Sequence, residues 1–265
     1  MKDRYSFADT LFPLKKILGN SKFSEINLQN TMYTGIVLDA YHTKEQYMEL
    51  LILVAKSYLM DNKDQKIDEI KIEPIGPKKI RGIIIAKNGS CLNNLLIMNT
   101  SLVIPTIGNL VEWNSRAQEI YPERGVYGIK GIKSPEDVNR LKYTLDFSEN
   151  SKVYGEDQLP TVATKAAFLW ERIAGTQAFK NGNKRTTMLT MLIMLHSNGY
   201  DFLYHRGLKE ELVKLSLKIA VGDIDLEQIK NYIVKNCRIN YNNTDWDTIK
   251  AIKNEPVVED NNWEK

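Results

Sequence analysis

Hydrophobic positions follow two regimes along the chain, and the change comes around Pro105 to Gly108. In the first regime helical spacing gives way to alternation. Tyr47, Leu50, Leu51, Val54, Tyr58 and Leu59 form one stripe, which predicts a helix over 44–60 closed by the polar turn Asp61-Asn62-Lys63-Asp64. Glu69 to Glu73 then alternates strictly, with Ile70 and Ile72 set against charged neighbours, as in a half-buried strand. Pro74, Gly76 and Pro77 are expected to break it. The β-branched run Ile83-Ile84-Ile85 within 80–86 reads as a second strand, and Asn88-Gly89 as a turn. Leu92 to Ile104 fits either an extended segment or a short helix. Phe7, Leu11, Phe12 and Leu14 to Ile17 suggest a short amphipathic start.

Beyond residue 109 the spacing is helical. Asn109 is expected to cap a helix that runs to Tyr121 and stops at Pro122. Ser134-Pro135-Glu136-Asp137 opens another, with a serine cap, proline at the first helical position and acids in the first turn. Thr161 to Ala174 places Val162, Ala166, Leu169 and Ile173 on one face, and Gly175 is expected to end it. Thr186 to Leu195 is apolar nearly all round, which marks a buried helix, and Asn198-Gly199 supplies its stop. Leu208 to Ile219 and Leu226 to Val234 complete a bundle. The expected fold is mainly α, a helical bundle with an N-terminal α+β region. The expected division is 1–108 for that region, 109–238 for the helical domain and 239–265 for a polar tail.

Composition narrows the classes. A hydrophobic content of 43% with 26% charged residues is ordinary for a soluble globular chain. A net charge of +3 is too mild to argue for a nucleic-acid partner. Cys91 and Cys237 have neither zinc nor disulfide spacing and read as free thiols in a reducing compartment. The stretch MKDRYSFADTLFPLKKIL has no apolar core of a secretory signal, and no run reaches the ~18 apolar residues of a membrane span. A cytoplasmic protein without a membrane partner is therefore expected. His42 has no chemical partner nearby and reads as a loop or core residue. The N-terminal region carries no catalytic motif; partner binding, shielding of a site and oligomerisation all remain open for it.

Candidate chemistry gathers at the head of the apolar helix. Lys180-Asn181-Gly182-Asn183 is a short polar loop, in which Gly182 permits a tight turn and a close approach of backbone to ligand. Arg185 adds a forked cation suited to phosphate oxygens, and Lys184 a point charge. With the unpaired N–H groups of a first helical turn, this makes an anion site. The same residues also read as an ordinary loop capped by Asn183, with two solvated cations. Gly125, Gly128 and Gly131 make 125–133 either a flap over a ligand or a plain glycine-rich loop.

The stretch Gln177-Ala178-Phe179-Lys180-Asn181-Gly182-Asn183-Lys184-Arg185 resembles the signature of the Fic/Doc (Fido) family, His-x-Phe-x-(Asp/Glu/Asn)-(Gly/Ala)-Asn-(Gly/Lys)-Arg. Phe179, Gly182, Asn183, Lys184 and Arg185 match, and the lysine at 184 is the form of the Doc-like (death-on-curing) branch. Gly128-Ile129-Lys130-Gly131 before Ser134-Pro135-Glu136 looks like that branch's target-binding flap, and Ala220 to Asp225 like its final loop and helix. The resemblance runs from Leu110 to Asn236 and implies a Fido-type helical bundle.

It also implies a toxin-type transferase that moves a phosphoryl or adenylyl group from ATP, with Mg2+, to a Ser, Thr or Tyr hydroxyl of a target protein. Lys184 favours phosphoryl transfer, because adenylyl-transferring relatives usually have glycine there. Phe179, Asn181, Gly182, Asn183, Lys184 and Arg185 fall at the nucleotide-binding positions, and Gln177, Asn183 and Arg185 at the catalytic ones. Asn181 stands where a carboxylate usually helps hold Mg2+; its amide oxygen can ligate but brings no charge. An antitoxin or inhibitor protein is the partner the resemblance implies. Ser115 to Glu119 has the spacing of the family's built-in inhibitory motif but is followed by Ile120, so it is not read as inhibitory.

One departure dominates. The family's histidine base is Gln177 in this chain, and glutamine has no basic lone pair that titrates near neutrality. Loss of a positioned general base lowers rates by ~10²–10⁴. His196 and His205 lie toward the far end of the apolar helix and do not replace it. The alternative is a non-catalytic Fido protein that binds nucleotide or a partner; a third reading is an introduced substitution, since one base change converts a His codon to Gln.

Overall fold

Polar caps set the limits of the first helix. Thr43 Oγ1 accepts from Gln46 N at 3.0 Å, starting α1 (Lys44–Asp61), and Asn62 closes it with both its backbone N–H and its Nδ2 on Tyr58 O, at 2.9 Å each. The computed structural model describes residues 26–28, 31–41, 43–76, 79–86, 88–120, 129–203 and 205–239. These divide into two units, one reaching to Ser101 and taking in Arg238 and Ile239, the other running from Leu102 to Cys237. The expectations at Phe7 to Ile17, His42, Pro77, Tyr121, Pro122, Gly125 and Gly128, and in the tail past Ile239, lie outside the described residues.

In the first unit β1 (Ile26–Leu28) and β2 (Thr31–Tyr33) pair as an antiparallel hairpin. A second sheet has the order β3 (Gly35–Asp39), β6 (Cys91–Asn99), β5 (Lys79–Ala86), β4 (Ile67–Gly76), with β3 and β6 parallel and the other pairs antiparallel. Successive residues Leu95 to Met98 are all buried, so both faces of β6 are covered. Tyr33, Ile36, Leu96 and Met98 form one cluster, and α1 buries Leu50, Leu53 and Val54. The undecided segment Leu92 to Ile104 is thus strand as far as Asn99 and without regular secondary structure from Thr100 to Ile104. Pro74 does not end β4 but pairs with Ile80 within it, which is possible because β4 is at the sheet's edge, where proline is tolerated. Chain from beyond the second unit returns to the first: Ile239 N donates to Ser57 Oγ at 2.7 Å, and Arg238 Nη1 meets Asp61 Oδ1 at 3.1 Å.

The second unit is helical: α2 (Ile107–Ile120), α3 (Pro135–Glu149), α4 (Val162–Thr176), α5 (Asn183–Ser197), α6 (Leu208–Ala220) and α7 (Leu226–Asn236). Asn109 is not the cap of α2. Thr106 is, and the two exchange bonds, Asn109 N to Thr106 Oγ1 at 3.2 Å and Thr106 N to Asn109 Oδ1 at 2.9 Å, the reciprocal pattern of a capping box. α5 is the central helix, with every residue from Arg185 to Leu195 buried. Its threonines survive burial by bonding back one turn: Thr186, Thr187 and Thr190 donate to the carbonyls of Gly182, Asn183 and Thr186. α4 packs on α5 through small residues; Ala163, Ala166, Ala167 and Ala174 are all fully buried. Gly175 does not end α4, which continues to Thr176 and is closed by Gln177. Among the described residues no helix is long and apolar enough to cross a membrane.

Lys165 on α4 is fully buried. Its Nζ donates to Ser148 O at 2.8 Å and Ser151 Oγ at 2.9 Å, and Ser151 Oγ donates in turn to Asp157 Oδ1 at 2.6 Å. Burial lowers the ammonium pKa from 10.5 to about 8, against the opposing pull of Asp157. The folded state therefore loses this proton at lower pH than the unfolded chain does, so the lysine's contribution to stability rises as pH climbs from about 8 toward 10.5. Urea unfolding of the wild type and Lys165→Met across that range should show the wild type gaining on the variant; parallel pH profiles would contradict the assignment.

Candidate functional site

The chain leaves α4 through a left-handed residue. Gln177 has φ 49 and ψ 36, and its Nε2 donates to Ala174 O at 2.6 Å, so the side chain is folded back as a cap on the last turn. Ala178 and Phe179 follow and are fully buried, which pins the loop to the bundle. Asn183 does not cap its own helix. It clasps Phe179 instead, Oδ1 accepting from Phe179 N at 2.7 Å and Nδ2 donating to Phe179 O at 2.8 Å. This closes 179–183 into a rigid arch. Asn181 Oδ1 accepts from Gly182 N at 2.7 Å inside that arch.

Gly182 is the N-cap of α5, in the left-handed region at φ 75, and no side chain caps this end of the helix. A β-carbon at this position would lie 3.4 Å from Arg185 Nη2 and 3.4 Å from Asn114 Nδ2. Glycine is favoured here by its torsion; the Arg185 guanidinium folds back to within ordinary contact of the position. Arg185 is only 7% exposed, so its charge is held at the helix head rather than waving in solvent. Lys184 is half-buried and Lys180 exposed. The positive end of a buried helix, uncapped by side chains and overlaid by a guanidinium, can take a phosphate.

The flap meets this loop edge to edge. Gly128 lies outside the described residues; Ile129 and Lys130 are exposed, and Gly131 turns at φ 89. Lys180 N donates to Gly131 O at 3.0 Å and Lys133 N to Ala178 O at 2.9 Å, with Ile132 opposite Phe179 in an antiparallel bridge. In that pattern the N–H and C=O of Ile132 point to the other edge, where a further strand can add.

Asn114 belongs to the site and was not singled out from sequence. It is fully buried on α2 and bonds to the flap, the loop and α5 at once. The available signal was a polar residue in an apolar stripe, between Leu110 and Ala117, both fully buried. His196 pairs with Asp201 at 2.9 Å in the last turn of α5, and His205 with Glu211 at 3.4 Å, so both are engaged away from the loop. Among the described residues no group of three or more His, Cys, Asp or Glu side chains is placed to hold a metal.

Residues 106–195 match the family model described as Fic/DOC family. That span begins at the capping residue of α2 and contains the loop, the described part of the flap and most of α5. Toxin Doc of Mycolicibacterium smegmatis is 37% identical over 81 residues, which cover 29% of this chain and 58% of that protein. The match therefore spans little more than half of that relative's length.

Proposed function

We propose that residues 106–195, which match the Fic/DOC family model, form a domain that binds ATP on the 180–185 loop as a toxin-type transferase held inactive by Gln177. The observation that carries this is the head of α5: a left-handed glycine N-cap that brings no side-chain cap to the helix, with a buried arginine folded over it. Gly182, Asn183 and Arg185 would cradle the phosphates, Asn183 by keeping the arch closed. Lys184 adds charge and favours phosphoryl over adenylyl transfer. ATP, when bound, supplies the group that passes to a Ser, Thr or Tyr hydroxyl of a target protein. The target chain would pair with the free edge at Ile132, and its hydroxyl would need a base for its proton. Gln177 cannot take that proton, and its amide is engaged on Ala174 O.

The magnesium fit is weaker. Asn181 Oδ1 already accepts from Gly182 N and brings no charge. This residue set does not by itself make a magnesium site, and Mg2+ would arrive on the phosphates. Similarity to a toxin Doc supports an antitoxin as a silencing partner.

A second reading is favoured by the Gln177 cap itself. A side chain that stabilises the end of α4 suits a non-catalytic domain that binds nucleotide or a partner protein. Calorimetric titration of the chain with Mg-ATP tests what the two share. Saturable binding is expected; absence of heat at millimolar nucleotide would remove the nucleotide site.

A further inference from the structure

Three segments distant in sequence converge on Asn114. Its Oδ1 accepts from Gly131 N at 3.3 Å, and its Nδ2 donates to Asn181 O at 2.8 Å and Thr186 Oγ1 at 2.9 Å. Both N–H donors of the amide are used, and its oxygen is used as well. The partners belong to the flap, the loop and the first turn of α5. The flap and loop are already joined by the bonds of Lys180 to Gly131 and of Lys133 to Ala178. Asn114 itself is fully buried.

We propose that Asn114 is a positioning residue that couples the flap to the phosphate loop, so that an anion on the loop fixes the edge on which a target strand pairs. The proposal rests on the nucleotide-binding reading above. A shift of Asn181 on phosphate binding either carries Asn114 with it or breaks a buried hydrogen bond. Breaking one leaves an unpaired buried group, at a cost of about 1–3 kcal/mol. Carrying the amide along moves the acceptor of Gly131 N. The two sites therefore share one free energy, and the effect runs equally in both directions. Leucine at 114 would fill similar space and transmit nothing.

Amide hydrogen exchange read residue by residue, with and without Mg-ATP, tests this on the full chain. In the wild type, Mg-ATP is expected to slow exchange at Gly131 and Lys133 by about fivefold or more. In Asn114→Leu that slowing should vanish, while Mg-ATP still binds and core amides of α4 and α7 exchange at wild-type rates. Thr186→Val, which removes one arm together with the Thr186 Oγ1 bond to Gly182 O, should reduce the slowing and serves if the leucine variant does not fold. Equal slowing of the flap in wild type and variants would overturn the proposal, as would Mg-ATP binding that leaves the wild-type flap unslowed. If Mg-ATP does not bind the wild type, the nucleotide reading fails separately, and exchange without ligand decides. Faster exchange at Lys133 and Lys180 in Asn114→Leu would keep the bracket; unchanged exchange would sink it.

Discussion

Gln177→His is expected to raise protein modification above the wild-type background by ~10²–10⁴, the usual contribution of a positioned general base. The position is prepared for this: the backbone at 177 is already left-handed, the following residues are buried, and the arch beyond is clasped by Asn183. The substitution also removes the bond from Gln177 Nε2 to Ala174 O. Losing one such bond costs about 0.5–1.5 kcal/mol, so the variant should melt slightly earlier while becoming active. Radiolabel at the γ or α phosphate of ATP, followed into protein in a cell lysate, reads the transfer and says which group moves. Growth arrest on induced expression of the histidine form alone would mark a toxin-type enzyme stopped at one residue. Labelling at background for both forms, with binding of Mg-ATP intact, would leave the nucleotide-binding module.

Arg185→Ala should weaken Mg-ATP binding by about 10- to 150-fold, the loss of charge-assisted hydrogen bonds worth about 1.5–3 kcal/mol. The side chain is 7% exposed and lies over Gly182, so the charge is pre-placed and none of its ordering is left for the ligand to supply. Arg185→Lys should fall between the two, since it keeps the charge and loses the planar fork. Adenosine, which has no phosphate, should bind all three alike. Mg-ATP affinities within twofold across the series would show that the cradle is elsewhere.

The buried helix was legible because its apolar residues surround the axis, and the strand at Glu69 to Glu73 because charge and isoleucine alternate. The fold departs from expectation where a tertiary neighbour settles what local sequence leaves open. Pro74 stays in its strand because β4 is an edge, which only the sheet order reveals. Gly175 stays helical because Gln177, two residues later, takes the left-handed turn and caps it. The signature loop was visible as residues but its clasp was not: Asn183 looks like a helix cap, yet bonds the backbone four positions earlier. Asn114 was hidden for the same reason on a larger scale, its partners lying 17, 67 and 72 residues away.

The return of Arg238 and Ile239 to the first unit has a consequence for synthesis. Ser57 waits 182 residues for the amide of Ile239. At about 5–20 residues per second on a ribosome, that is a delay of roughly ten to forty seconds. The helical second unit, Leu102 to Cys237, is translated entirely within the interval and can fold first, although it is encoded second. A premature stop codon just before Arg238 would thus release a finished helical domain joined to a first unit that lacks the Ile239–Ser57 and Arg238–Asp61 bonds.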